Sequence, residues 1–181
     1  MDQNDRLLRH DRWMTNLMHD AAAKLDDAAL DQEFDIGHRT VRKTLDHITV
    51  GIELWTSLMR GEPARWEPNP SDVETMRRRQ SAAYDAFEEV AGRVIAEGRL
   101  DETFVDPWDY QQSLGSTVLH VILHSHVHRS ELLHMYQRLG FEPFTEGDPQ
   151  EWEHMAGITP PTHTPVIVGP GEAPLQSAGS A

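Results

Sequence analysis

The sequence predicts an all-α fold, a four-helix bundle with a long crossover before its fourth helix. Three observations carry that prediction. Four segments repeat apolar side chains at three- and four-residue spacing, the period of a helix with one buried face. Glycines, prolines and capping residues stand between these segments. The fourth segment, TVLHVILHSHVHRSELLHMYQRLG over residues 117–140, carries a stripe of histidines along the same period.

The first helix is expected over about residues 5–25, where Leu7, Leu8, Met14, Leu17, Met18, Ala21, Ala22 and Leu25 form the core-facing stripe. Trp13 lies beside it as packing. The acidic loop DDAALDQEFDIG follows, and Gly37 marks the approach to a second helix over residues 39–60. There Val41, Leu45, Ile48, Ile52, Trp55 and Met59 make the stripe, with His47 at its edge. Gly51 lies one turn beyond His47 on the same side and leaves space beside the imidazole. Glycine inside a helix costs about 1 kcal/mol against alanine, so a packing or access reason is expected.

Gly61 ends this helix, and GEPARWEPNP is a proline-rich connection. Ser71 with Glu74 reads as a capping box for a third helix that continues to Gly98. Arg77, Arg78 and Arg79 form a small basic cluster on it, a solvated face from which one arginine should lean to the core edge within reach of an anion. Residues 100–115, with Pro107, Trp108 and Tyr110, are too polar for a core helix and form the crossover. Ser116 is the expected cap of the histidine helix, and Gly140 after Arg138 its expected end. The bundle is thus assigned to residues 1–145. Residues 146–181 are assigned to one short helix within DPQEWEHMAG and an extended or disordered tail rich in Pro, Gly, Ser and Ala.

Composition narrows the function classes. The 181 residues carry 30 acids against 16 bases, a formal charge of -14, which argues against nucleic acid as a partner because phosphate binding needs a basic surface. Mean hydropathy is -0.57 and no apolar run is long enough to cross a bilayer, so no membrane partner and a cytoplasmic location are expected. There are no cysteines, so any metal is held by His, Asp, Glu or water, and any reacting thiol comes from a substrate or cosubstrate.

Five of the 11 histidines fall between His120 and His134. At about 100° per residue, His120, His124 and His128 step round by roughly 40° each and share one face. Glu131 and His134 lie near the same line, and His126 points to roughly the opposite side. Leu119, Val121, Leu123, Val127, Leu132, Leu133 and Met135 surround the stripe, so most of this helix is expected to be buried. Imidazoles stacked on a buried face need partners, and a divalent transition metal satisfies that need. Two stripe histidines with His47 from a facing helix would form a triangular cap with an open position for water or substrate, as catalytic metal sites have. Other schemes fit less well. The zinc-protease pattern needs H-E-x-x-H, whereas Ser125, His126 and Val127 intervene here. A di-iron bundle needs Glu-x-x-His twice. Glu131 with His134 matches once, and Glu151 with His154 lies outside the bundle.

These segments, TLDHITVGIELWTSLMRG and STVLHVILHSHVHRSELLHMYQRLG, resemble the DinB/YfiT-like family over roughly residues 5–145. The shared pattern is a lone His followed by an aromatic and a Gly, then a run of the form HV..H...HR....L...G. The resemblance implies an up-down-down-up bundle and one divalent metal ion, zinc, nickel or manganese, held by His47, His124 and His128. It places His120 one turn upstream of the ligands and Arg129 in the basic position after the last of them. Ser130 and Glu131 depart from the Gly-Gln or Gly-Asn usual there. It also implies a homodimer and a small-molecule substrate. Some members use a low-molecular-weight thiol such as mycothiol or bacillithiol for S-transfer or isomerisation. The expected function is a metal-dependent enzyme of that kind or a hydrolase; the alternative is a metal-binding or stress-associated protein without turnover. Trp55, Trp108 and Tyr110 are the expected pocket-lining residues, and Ile122, Leu133 and His126 the flank expected to meet another helix or a second copy.

Overall fold

The computed structural model describes residues 1–141, 145 and 147–159. Its helices begin where a short polar side chain can accept a hydrogen bond from the unpaired N–H groups of the first turn. Asp2 caps α1 (Gln3–Ala22), Asp26 the short α2 (Asp27–Leu30), Thr40 α3 (Val41–Met59) and Asp72 α4 (Val73–Ala96). Ser113 caps α5 (Leu114–Arg138), and Asp148 caps α6 (Pro149–Met155), which has proline in its first turn. Two expected caps are displaced: Asp72 replaces Ser71, and α5 starts a turn earlier than Ser116. Ser116 instead bonds back to Ser113.

The four long helices pack so that α1 and α3 each touch both α4 and α5. Met14 and Met18 of α1, Leu45, Ile48 and Ile52 of α3, Tyr84 and Phe87 of α4, and Leu132, Met135 and Tyr136 of α5 fill the space between them. Such burial supplies on the order of 1.5–3 kcal/mol per large side chain. The fourth helix is less buried than expected. Ile122 is in the core and Leu133 packs against it, whereas Leu119, Leu123 and Val127 are more than half exposed. Four-residue steps drift only slowly round a helix, so these three share a face of their own, turned away from the neighbouring helices.

Within the crossover, β1 (Thr103–Val105) pairs antiparallel with β2 (Gln111–Ser113), with Phe104 opposite Gln112. Asp106 folds the turn between them. One of its carboxylate oxygens accepts the N–H groups of Trp108 and Tyr110 at 2.9 and 3.0 Å, and the other accepts Gln112 Nε2 at 3.0 Å. This turn places Trp108 and Tyr110 above the α3–α5 groove. Gly115 N–H bonds the Leu100 carbonyl at 2.8 Å and ties the hairpin to the start of α5.

Helix α6 lies on α1. Arg6 pairs with Glu153, and His10 donates to the Gly147 carbonyl at 2.7 Å beside Trp152. The expected tail over residues 160–181 lies outside the described residues. Among the described residues, no helix is long and apolar enough to cross a membrane.

Candidate metal centre

The expected ligands meet. His124 and His128 stand one turn apart on α5, and His47 faces them from α3. His124 Nε2 lies 3.0 Å from His47 Nε2 and 3.2 Å from His128 Nε2. Bonds of 2.0–2.1 Å to a tetrahedral ion set neighbouring nitrogens about 3.3–3.4 Å apart, so these two separations are already close to that spacing. A fourth imidazole joins it from the loop before α3. His38 stacks on His47 with ring centres 3.7 Å apart, and it lies 5.1 Å from the His128 ring. His38, His47 and His128 offer ring nitrogens within 4.8 Å of one another, a group that can hold a metal ion.

Protonation favours ligation over mutual hydrogen bonding. The Glu131 carboxylate lies 2.9 Å from His128 Nδ1, and an ionised carboxylate only accepts. His128 Nδ1 therefore carries the proton, and neutral His128 presents a lone pair at Nε2. His124 Nε2 sits between that lone pair and His47 Nε2, and one ring nitrogen cannot donate and accept at once. As a donor it has a single proton to share between two acceptors; as an acceptor it faces a lone pair. A cation at the centre uses all three lone pairs. Burial, with repulsion from His38, His128 and His124, pushes His47 down to about 3. Burial, reinforced by His128, His120 and His38, pushes His124 down to about 4. Both are neutral ligands at neutral pH. The residues present fit a divalent ion.

The surroundings fix these rings. A Cβ on Gly51 would sit 2.9 Å from His124 Cε1, so the space that this glycine leaves is occupied by His124, not by His47 as its helix position implies. Glu131 both orients His128 and packs on Gly37, where a Cβ would fall 2.0 Å from its Oε2. That arrangement is the familiar one of a carboxylate holding the far nitrogen of a metal-ligating histidine.

The remaining stripe residues do other things. The His120 ring lies 5.5 Å from that of His124 and 4.8 Å from Trp55, and it faces a cavity of about 380 Å³. Trp55, Trp108 and Tyr110 line the same cavity, together with Asp106, Gln112, Ser116 and Thr117. His134 and His126 are exposed. The second Glu-x-x-His is engaged elsewhere: Glu151 bonds Thr145, and His154 meets Thr159 at 2.8 Å.

Arg129 turns away from the cluster into the core. It is 2% exposed and bonds the Asp11 carboxylate and Thr15 Oγ1, while Tyr84 donates to the other Asp11 oxygen at 2.9 Å. This network joins α1, α4 and α5 directly behind His128. The arginines of α4 are engaged by side chains of the protein, and Arg79 is the one that leans to the core edge. Arg79 is held by Glu53 and Asp46, Arg77 pairs with Asp20, and Arg78 bonds Thr75. Two of the three arginines thus have carboxylate partners.

His38 and the orienting role of Glu131 are the site residues that periodicity missed. A single loop histidine has no period to betray it, and only Gly37 beside it hints at a close approach.

Helical bundle and inward-facing histidines together define a candidate metal-binding helical protein. The sequence model of the DinB family matches residues 1–154, and the chain belongs to that family. No curated protein matches it.

Proposed function

We propose that this chain is a divalent-metal-dependent enzyme with His47, His124 and His128 as ligands, which carries out S-transfer or isomerisation with a low-molecular-weight thiol as cosubstrate, or else hydrolysis. The observation that carries the reading is the convergence of His47, His124 and His128, with Nε2 separations of 3.0 and 3.2 Å, one turn of α5 from a cavity of about 380 Å³ that His120 lines. When bound, zinc, nickel or manganese supplies the Lewis acidity that holds a thiol or water deprotonated near neutral pH. Glu131 keeps the His128 proton on Nδ1 and its lone pair inward. Trp55, Trp108 and Tyr110 exclude water from one side and receive the apolar part of a small substrate. With no cysteine in the chain, the thiol comes from outside.

The scaffold of the proposal is the up-down-down-up bundle, and contact registers support it. Asp11 meets Arg129 and Met18 meets Tyr136, so α1 and α5 advance together. His47 meets His128 and Trp55 meets His120, so α3 runs against α5. Arg79 reaches Asp46 and Glu53 while Arg60 reaches Glu89, so α3 and α4 advance together.

The test is conjugation of an electrophile with several low-molecular-weight thiols, comparing metal-loaded protein with His124→Ala. Loss of metal and of rate together is expected; equal rates refute the reading. A second reading, a metal-binding module without turnover, is favoured by the nearness of His38, which can close the site. It expects metal removal to lower the Tm sharply while every thiol screen stays negative.

The proposal includes a cytoplasmic setting, which cell fractionation tests, and a homodimer. The exposed positions of α5 between Ser116 and Gln137 carry no formally charged side chain. Leu119, Leu123 and Val127 therefore give two strongly acidic copies an uncharged face on which to meet. Light scattering that gives 20.6 kDa refutes the dimer.

A further inference from the structure

We infer that His38 is a fourth ligand of this metal centre, closing it at rest and giving up its place when an exogenous ligand arrives. The inference rests on the three-histidine reading above and departs from it at one point: the open position is not open at rest.

Three observations carry it. First, His38 is placed with its imidazole against His47, and its ring nitrogen joins those of His47 and His128 within 4.8 Å. The His38 ring also lies 5.1 Å from that of His128, a proposed ligand on the other helix.

Second, the backbone on both sides of His38 is left-handed. Gly37 has φ +44° and Arg39 has φ +72°. A residue with a side chain rarely adopts that conformation, which costs roughly 1–2 kcal/mol. Arg39 is held there by its N–H on the Ile36 carbonyl at 2.8 Å and by its own carbonyl accepting Phe34 N–H at 2.7 Å. Its ion pair with Glu33 is largely exposed and contributes little. Strain of this kind persists where a function fixes it, and its effect here is to aim one side chain, His38, at the cluster.

Third, the loop is keyed to a ligand already in place. Glu131 receives the His128 Nδ1 proton and packs where a Gly37 Cβ would be. One carboxylate thus sets the orientation of His128 and the position of the residue next to His38.

Four imidazoles fill a tetrahedral set and leave no coordination place. His38 is the member that can leave, because it hangs from a loop, whereas His47, His124 and His128 stand on long packed helices. Its departure toward solvent costs its stacking on His47 and frees one place.

Cobalt(II) makes the assignment testable without turnover, since its visible absorption is intense when four-coordinate and weak at higher coordination. Wild type, His38→Ala, His38→Phe and His47→Ala are titrated with cobalt(II), then with 2-mercaptoethanol. His38→Phe keeps a ring on His47 and removes only the nitrogen. The wild type is expected to bind one equivalent with intense absorption. Both His38 variants are expected to bind one equivalent with several-fold weaker absorption and affinity lower by about 10–100-fold, the range for removal of an ordering partner of a metal site. The thiolate charge-transfer band should saturate at about tenfold lower 2-mercaptoethanol in both, because no resident imidazole has to leave first. A spectrum, affinity and thiol half-saturation unchanged in His38→Phe overturn the role of His38 and leave the three-histidine centre standing. Failure of the wild type to take up cobalt overturns both.

Discussion

Gly51→Ala separates the stability of the bundle from the integrity of the proposed metal centre. Glycine inside a helix is worse than alanine by about 1 kcal/mol, so the change favours α3 by that amount where space allows. At Gly51 it does not. The new methyl would lie 2.9 Å from His124 Cε1 and 3.2 Å from its Nδ1, against an ordinary contact of 3.4–4 Å. The ring must retreat by about 0.5–1 Å, and metal–nitrogen distances tolerate only about 0.2 Å. The ring cannot shift without losing its place, because its Nε2 is set between His47 and His128 at 3.0 and 3.2 Å. The expected result is metal-free stability within about 1 kcal/mol of the parent, since the helical gain and the steric cost oppose each other, and metal affinity reduced by at least tenfold. Gly92→Ala in α4 is the control, because nothing lies within 4 Å of its would-be Cβ. It should stabilise by about 0.5–1 kcal/mol and leave metal binding alone. Urea unfolding with and without metal, with competitive chelator titrations, measures both quantities. Parental metal affinity in Gly51→Ala would refute the role given to His124.

Further outcomes follow from other parts of the molecule. Glu131→Gln keeps an acceptor for His128 Nδ1 but removes the charge, and should weaken metal binding by about tenfold, less than Glu131→Ala, in a chelator competition. His19 is fully buried, and burial, with repulsion from Arg77, holds it down to about 4. Below its ordinary 6.5 the unfolded chain takes a proton that the folded chain refuses, so stability is full above that value and falls as pH drops towards 4. His19→Leu should flatten the urea-midpoint profile by about 2 kcal/mol between pH 7 and 5, and an unchanged slope contradicts the assignment. Asp11→Ala strands the Arg129 guanidinium in the core and should cost about 3–5 kcal/mol by thermal unfolding. Asp11→Leu combined with Arg129→Met should cost clearly less than either single change alone.

The helical fold and most of the histidine cluster are legible in the sequence because both follow from period. Apolar residues at three- and four-residue steps give α1, α3, α4 and α5 their buried faces, and the same arithmetic puts His124 and His128 on one side of α5. It fails where a residue's neighbour comes from another element. Leu119, Leu123 and Val127 read as core beside the histidine stripe, yet they are exposed because the adjacent helices cover only part of α5. Arg79 reads as a free cation until folding brings Glu53 and Asp46 to it. Asp106 folds its turn through contacts two to six residues away, and no helical or strand pattern announces it.

By itself the sequence determined that this is a cysteine-free, acidic helical chain with histidines gathered on one helix face and one more on a facing helix. Local propensity, capping and periodicity act over a few residues, and those features need nothing more. Tertiary structure decided that Nε2 atoms from α3 and α5 lie about a metal's span apart, that Gly51 makes room for His124, that Glu131 orients His128, and that His38 joins from a loop. Each of these depends on a distance between atoms far apart in the chain, and such a distance is set only when the helices pack.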